Sequence, residues 1–213
     1  MVIARLENVC KSYDQQRVIS NFTYDFQGGN IYAITGPSGS GKSTLLNLIG
    51  LLEKPDQGKI ELFGQTNIPP MSRKGMMMLR YKIGYLFQNF ALTDNQTVKE
   101  NLLVALSYIK SRNKDKLICD ALSKVGLAGF EQKKVFQCSG GEQQRIAIAR
   151  LLLKPCELIL ADEPTGNLDE GNKRIIFKLL KMLQEGGKTV VVVSHDPEVL
   201  KLCTSEIGLE RSS

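Results

Sequence analysis

No stretch of this 213-residue chain approaches the roughly 18–20 consecutive apolar residues that span a bilayer. The strongest apolar runs, residues 45–52 and 190–193, are short. The N-terminus, Met1-Val2-Ile3-Ala4-Arg5, has no basic segment leading into an apolar one, so no secretory signal is expected. Five cysteines are scattered as Cys10, Cys119, Cys138, Cys156 and Cys203, odd in number and with no C-x-x-C pair. That argues against a disulfide framework or a zinc site and for reduced, buried thiols. There is one histidine, His195, and no internal repeat or low-complexity tract. The expectation is a protein soluble in the cytoplasm, or held on a membrane by a partner.

Hydrophobic residues make up 42% of the chain and charged residues 23%, enough for an ordinary globular core. The net charge is +6, with lysines gathered at residues 110–116 and 133–134. Such a cluster reads either as a contact for an acidic partner or membrane surface, or as a solvated helix face.

Residues 2–8 and 18–26 read as strands joined by a turn at Asp14-Gln15-Gln16. Residues 31–35 form an apolar run between Gly28-Gly29 and Gly36-Pro37 and read as a buried strand. A helix over residues 42–51 follows, then strands over 59–63 and 83–87. The texture changes at residues 93–154. Thr97-Val98-Lys99-Glu100 is a capping box, with Leu102, Leu103, Leu106 and Ile109 at helical spacing behind it. Further helices are expected over 113–125, stopped by Gly126, and from Ser139 to about residue 153, before Pro155. The alternation then resumes with a strand at 158–161, a helix at 168–185, a strand at 189–194 and a short helix at 196–202. The long helix should place Ile175, Ile176, Leu179, Leu180 and Leu183 on one face. This pattern predicts an α/β fold with a mostly parallel, doubly covered sheet. One unit is expected over 1–213, with 1–92 and 155–213 as its core and 93–154 as a helical insert.

Residues 36–43 read Gly-Pro-Ser-Gly-Ser-Gly-Lys-Ser and match G-x-x-x-x-G-K-S between a strand and a helix. Glycines there let the backbone wrap phosphates, with Lys42 on the β- and γ-phosphates and Ser43 on Mg²⁺. Asp162-Glu163 closes the strand at 158–161. One acid there can hold Mg²⁺ and its neighbour can orient an attacking water, though Asp-Glu after a strand is also a common solvated loop. His195 follows the strand at 189–194, at the sheet edge where ligands of α/β sheets sit, and reads as a γ-phosphate contact or a structural histidine. Cys138-Ser139-Gly140-Gly141-Glu142-Gln143 is a glycine turn that opens a helix. It offers a second phosphate surface, apart from the first. A chain with two such surfaces that cannot meet is expected to bind ATP as a dimer. Gln88 ends the strand at 83–87 and is otherwise a surface glutamine. Tyr13 can stack on a base or pack in a hairpin core. Met76-Met77-Met78 fits a plastic binding surface or a short helix packed on the core. Cys138 is a reactive thiol at a helix start or a small packing residue.

Together and in this order, these motifs resemble the nucleotide-binding subunit of an ATP-binding cassette (ABC) transporter, along essentially the whole chain. The resemblance implies a P-loop NTPase (RecA-like) core, an N-terminal antiparallel β subdomain and an α-helical signature subdomain. It implies that Tyr13 stacks on adenine, and that Gly36, Ser38, Gly39, Gly41, Lys42, Ser43 and Thr44 bind the phosphates. Gln88 would sense Mg²⁺ and the γ-phosphate and link to the membrane subunit. Ser139, Gly140, Gly141 and Glu142 belong to the signature sequence, Asp162 is the Mg²⁺-side acid, and Glu163 is the catalytic glutamate. Asp169 lies in the loop that crosses between subunits, and His195 is the switch histidine. The implied partners are a second copy of the chain and an integral membrane permease, with no nucleic acid. Residues 85–92 and 161–169 are similar to the macrolide-export, lipoprotein-release and bacteriocin-export branch, and the short length is similar to the bacteriocin exporters. Leucine is usual where Cys138 stands. Two alternatives are an ATPase driving a non-transporting envelope complex, and a soluble DNA-repair or translation ATPase of the same superfamily.

Overall fold

The computed structural model describes residues 1–14, 16–166 and 168–210; Gln15 of the expected turn and Asn167 lie outside the described residues. Two long strands open the chain. β1 (Val2–Tyr13) pairs antiparallel with β2 (Gln16–Gln27), matching Leu6 with Tyr24. On its other edge β1 pairs with β4 (Gln57–Leu62), which carries the short β5 (Gln65–Thr66). The resulting order is β2-β1-β4-β5, all antiparallel. β1 runs well beyond the expected end at residue 8. Its pairing with β2 shifts register on either side of Val9, and Asn8 and Asn21 sit in left-handed backbone at φ 50° and 45°. Thr23 Oγ1 accepts the Asn8 N–H at 2.9 Å. A bulge, not a turn, therefore interrupts the alternation.

The second sheet has the order β6-β7-β8-β3-β9, every pair parallel. Its strands are β3 (Ile31–Thr35), β6 (Ile83–Leu86), β7 (Leu158–Asp162), β8 (Thr189–Val193) and β9 (Ser205–Gly208). All five residues of β8 are buried because both faces are covered. Val191 and Val193 pack with Leu6, Phe26, Leu45 and Ile49 on the side of the antiparallel sheet. Val190 and Val192 pack with Leu102, Ile146, Ile176 and Leu180 on the other. β9 was not expected: only Ile207 among its four residues is buried, so no apolar pattern announces this edge strand.

The helices follow the caps written in the chain. α1 (Lys42–Ile49) stops at Gly50, two residues before the expected end. The Tyr85 hydroxyl donates to Leu46 O at 3.0 Å, and a Cβ on Gly50 would overlap that hydroxyl. Gly50→Ala is therefore expected to lose about 1–3 kcal/mol of stability by overpacking. Urea unfolding measures it, and an unchanged midpoint would contradict the packing described. α2 (Arg73–Tyr81) begins at the N-cap Ser72; of its methionines only Met78 is buried, while Met76 and Met77 are 40% and 47% exposed. The run thus lies on a short helix that packs on the core through Met78 alone.

α3 (Val98–Leu103) carries the expected Thr97–Glu100 capping box but passes early into a 3-10 turn at Val104–Leu106. α4 (Lys114–Lys124) and α5 (Gly140–Leu153) stand close to their expected limits. α6 (Glu170–Glu185) starts after Asp169 as N-cap and leaves Ile175 exposed, with Phe177 buried in its place. α7 (Pro197–Leu202) is capped by Asp196. Lys110 and Lys116 are exposed, which both readings of the lysine cluster require. The five thiols are free; Cys10, Cys138 and Cys156 are buried, but Cys119 is exposed and Cys203 half-buried, against the expectation of uniformly buried thiols. Among the described residues no helix is long and apolar enough to cross a membrane.

Candidate nucleotide-binding site

The phosphate loop joins β3 to α1 at the carboxyl edge of the parallel sheet. Gly36 has φ 139°, and a Cβ there would overlap the Leu209 carbonyl oxygen; Gly41 has φ 88° and would bring a Cβ within 2.7 Å of Val18. Only glycine gives this curl. Lys42 is buried, and its Nζ donates to Gly36 O at 2.8 Å and Pro37 O at 2.9 Å, so the ammonium lies inside the loop. No acidic residue occupies the first turn of α1, leaving the positive end of the helix unopposed.

β7 ends at Asp162, in register with Val193 of β8. The Ser43 hydroxyl lies near enough to the Asp162 carboxylate to act on its proton affinity. Burial, reinforced by the nearby charge of Glu163, pushes the Asp162 carboxyl above the ordinary aspartate range; the Ser43 hydroxyl and Lys42 work the other way. Glu163 donates its N–H to Val193 O at 3.0 Å and adopts φ 42°. A left-handed non-glycine residue is costly, and such strain gathers at functional sites.

A cleft of about 580 Å³ brings together Tyr13, Ser38, Gly39, Gly41, Lys42, Ser43, Thr44, Glu163 and His195. A second, of about 510 Å³, is lined by Glu163, Thr165, Gly166, Glu170, Lys173, His195 and Asp196. Glu163 and His195 face both. Tyr13 is 43% exposed, which rules out the hairpin-core reading. Its hydroxyl donates to Glu53, whose other oxygen accepts Asn47 Nδ2 at 3.0 Å. Gln88 is placed differently from expectation. β6 ends at Leu86, and Gln88 lies exposed in the turn beyond, lining neither cleft. The turn shares the sheet edge with Asp162, because Leu86 pairs with Ala161.

Ser139 caps α5: its Oγ accepts the Glu142 N–H at 3.3 Å, and Glu142 Oε2 accepts the Ser139 N–H at 2.7 Å. Lys133 Nζ donates to the same carboxylate at 3.2 Å. Burial raises the Glu142 pKa, but these two bonds outweigh it and hold the carboxylate below the usual glutamate range. Glu142 is thus occupied in holding the turn. Gly140 is exposed, whereas Gly141 is buried against Asn172. Cys138 is buried, and burial pushes its thiol up, which makes it a packing residue and a poor nucleophile. Neither Ser139–Glu142 nor Asp169 lines the cleft around Lys42.

The sequence reading missed Arg145 and Asn172, which tie α5 to the Asp169 cap of α6. No short pattern signals a contact across 27 residues. Buried side-chain polar atoms without a hydrogen-bond partner also concentrate here: among the described residues they are Ser40 Oγ, the Gln144 carboxamide and Arg145 Nε. All belong to the phosphate loop or to the start of α5, the two places where polar ligands were expected.

The ABC transporter family profile matches residues 19–166. An ABC transporter ATP-binding protein of Mycobacterium tuberculosis is 36% identical over 215 residues, covering 98% of this chain and 87% of its own. A spermidine/putrescine import ATP-binding protein of Acetivibrio thermocellus is 42% identical over 203 residues, 92% of this chain and 55% of its own. A macrolide export ATP-binding/permease protein of Campylobacter jejuni is 37% identical over 201 residues, 91% of this chain and 31% of its own. The chain thus spans about half of one of these relatives and less than a third of another. Among solved structures, a dimeric ATP-binding cassette in a post-hydrolysis state bound to ADP and Pi superimposes with a TM-score of 0.88 at 36% identity, over 99% of this chain and 97% of that one. With the phosphate loop, the paired acids at the end of β7 and the glycine turn of α5 set on one fold, the chain belongs to the ABC transporter family as an ATP-binding, ATP-hydrolysing cassette.

Proposed function

We propose that two copies of this chain enclose two ATP molecules, each between the phosphate loop of one copy and the Ser139–Gly141 turn of the other, and that the dimer powers a membrane permease. One observation carries the reading. Lys42, Ser43, Glu163 and His195 share a cleft, while the phosphate-facing turn at Ser139 lies outside it in the same chain. That a similar cassette is dimeric in a post-hydrolysis state bound to ADP and Pi supports dimerisation in the nucleotide cycle.

Within each site the roles follow from position. Gly36, Ser38, Gly39 and Gly41 present backbone N–H groups to the phosphates, Lys42 meets the β- and γ-phosphates, and Thr44 adds an α-phosphate contact. Tyr13, pinned by Glu53, offers a ring for the adenine. The Ser43 hydroxyl and the Asp162 carboxylate lie near one another, and two hard oxygen donors suit Mg²⁺; Gln88 would join them from its turn. Bound there, Mg²⁺ would neutralise charge on the phosphates. Glu163 orients the attacking water, His195 contacts the γ-phosphate, and Asp169 reaches toward the partner. Positioning and electrostatics account for such a hydrolysis. The α/β core at 1–92 and 155–213 would move against the helical part at 93–154 as ATP closes the dimer.

For the permease, an apolar groove of about 400 Å³ beside Gln88 is the docking surface. Leu52, Met76, Leu79, Phe87, Val104 and Tyr108 line it with Arg80, Arg150 and Lys154, and no acidic residue is among its walls. Val104 is 63% and Tyr108 53% exposed. A helix with an apolar face and an acidic flank fits these walls. Val104→Asp is expected to abolish co-purification of the permease from native membranes while the isolated subunit hydrolyses ATP as before. Retained co-purification would move the docking surface elsewhere.

Export of a peptide, lipid-linked or drug-like cargo rests on the likeness of residues 85–92 and 161–169 to the export branch, and on the macrolide-export relative. The polyamine-import relative points the other way. Pulling down and identifying the permease, then assaying cargo movement in vesicles, decides it.

A further inference from the structure

We propose that Asn172 is a positioning residue that fastens the Ser139–Gly141 turn to the Asp169 loop, so that both meet the partner's ATP as one piece. The inference rests on the sandwich reading above and adds a residue to it.

Asn172 stands in the first turn of α6. Its Oδ1 accepts Arg145 Nη1 at 2.8 Å, and its Nδ2 donates to Asp169 Oδ2 at 2.6 Å. Its own N–H donates to Asp169 Oδ1 at 2.9 Å. The carboxamide orientation is unambiguous. Arg145 can only donate and an ionised Asp169 can only accept, so oxygen must face one and nitrogen the other. A single side chain therefore bridges a cation on α5 and the acid that caps α6. Neither aspartate, lysine nor leucine at this position could serve both.

Gly141 gives a second, independent observation. A Cβ there would lie 2.5 Å from Asn172 Oδ1, whereas a Cβ on Gly140 would meet nothing within 4 Å. The second glycine of the turn is thus required by Asn172, which lies directly against the backbone of α5. The first remains free to face a ligand. Arg145 is one helical turn beyond Gly141, so the carboxamide holds the start of α5 at two points. Rotation of the Ser139 turn must then carry the Asp169 loop with it.

The test uses the full chain with Glu163→Gln, titrated with Mg-ATP while dimer is read by analytical ultracentrifugation. Asn172→Leu keeps the branched heavy-atom skeleton and removes both polar functions; Asn172→Ala truncates the side chain to Cβ and controls for the greater bulk of leucine. Either is expected to raise the ATP concentration that half-forms the dimer roughly 10- to 100-fold, and to lower kcat in the Glu163 chain by a similar factor. Binding of mant-ATP to dilute monomer and the thermal midpoint should stay at the parent values. The proposal is overturned if Asn172→Leu dimerises and turns over like its parent, or if the losses track a falling thermal midpoint across the two variants. A Glu163→Gln parent that stays monomeric removes the sandwich and this proposal with it. A dimerising parent beside an unaffected Asn172→Leu removes this proposal alone.

Discussion

Glu163→Gln is expected to bind ATP, to hydrolyse it about 10²- to 10⁴-fold more slowly, and to accumulate as a dimer. The substitution preserves shape and hydrogen-bonding reach and removes only the ability to take up a proton. The fold around the position should be untouched, because what holds it is backbone: the Glu163 N–H to Val193 O at 3.0 Å, and a left-handed φ of 42° that glutamine tolerates as poorly as glutamate. Glutamine also removes a negative charge facing the phosphates, which favours the ATP-bound state. Turnover by a coupled phosphate assay and sedimentation with Mg-ATP read the two halves of this expectation. Wild-type turnover in a strictly monomeric Glu163→Gln chain would contradict both.

Asp162→Asn should lower hydrolysis about 100-fold or more and yet stabilise the fold. The sign follows from the direction of the Asp162 shift. Burial first, and the Glu163 charge with it, raise the folded-state pKa above that of an aspartate in the unfolded chain. The folded state therefore holds the proton more tightly. As pH rises from about 3.9, the unfolded-chain value, through the raised folded value, stability falls and stays lower above that window. Asparagine has no such window, and its carboxamide oxygen keeps the capacity to accept a hydrogen bond. The thermal midpoint of Asp162→Asn should equal that of the wild type at the most acidic pH, exceed it progressively through the window, and keep a constant lead at neutral pH. Parallel curves, or a less stable variant at neutral pH, would contradict the assigned burial cost. The site carries an ionised acid where the fold alone would not place one.

Much of the architecture was legible because the chain states it locally. Thr97–Glu100 and Ser139–Glu142 announce two helix starts, Gly126 marks an end, and the valines of 190–193 demand burial on both faces. The phosphate loop and the Asp162-Glu163 pair were readable for the same reason, as short patterns with a stated mechanism. What escaped depends on distant partners. The second part of β1, beyond residue 8, was lost because the bulge around Asn8 breaks the alternation and is stabilised only when Thr23 of β2 is brought beside it. β9 gains its place from the neighbouring β3, not from its own residues. Gln88 was assigned to a strand end, but β6 stops one residue earlier than expected and leaves it in an exposed turn. Glu142 looked like a ligand-facing residue until its carboxylate was found closing the cap of α5. Asn172, lying 27 residues beyond Arg145, carried no local signal at all.

The central claim is that a complete site takes Lys42 and Glu163 from one copy and Ser139 from the other. Mixing two inactive chains tests it most directly. Glu163→Gln alone and Ser139→Ala alone are each expected to hydrolyse ATP poorly. In a mixed dimer both lesions fall in one site, and the other site combines the intact Glu163 of the Ser139→Ala chain with the intact Ser139 of the Glu163→Gln chain. Mixing should therefore restore ATP turnover well above the sum of the separate chains. Turnover equal to that sum, in a mixture where sedimentation of a size-tagged chain demonstrates mixed dimers, would mean that each copy completes its own site and the sandwich is wrong.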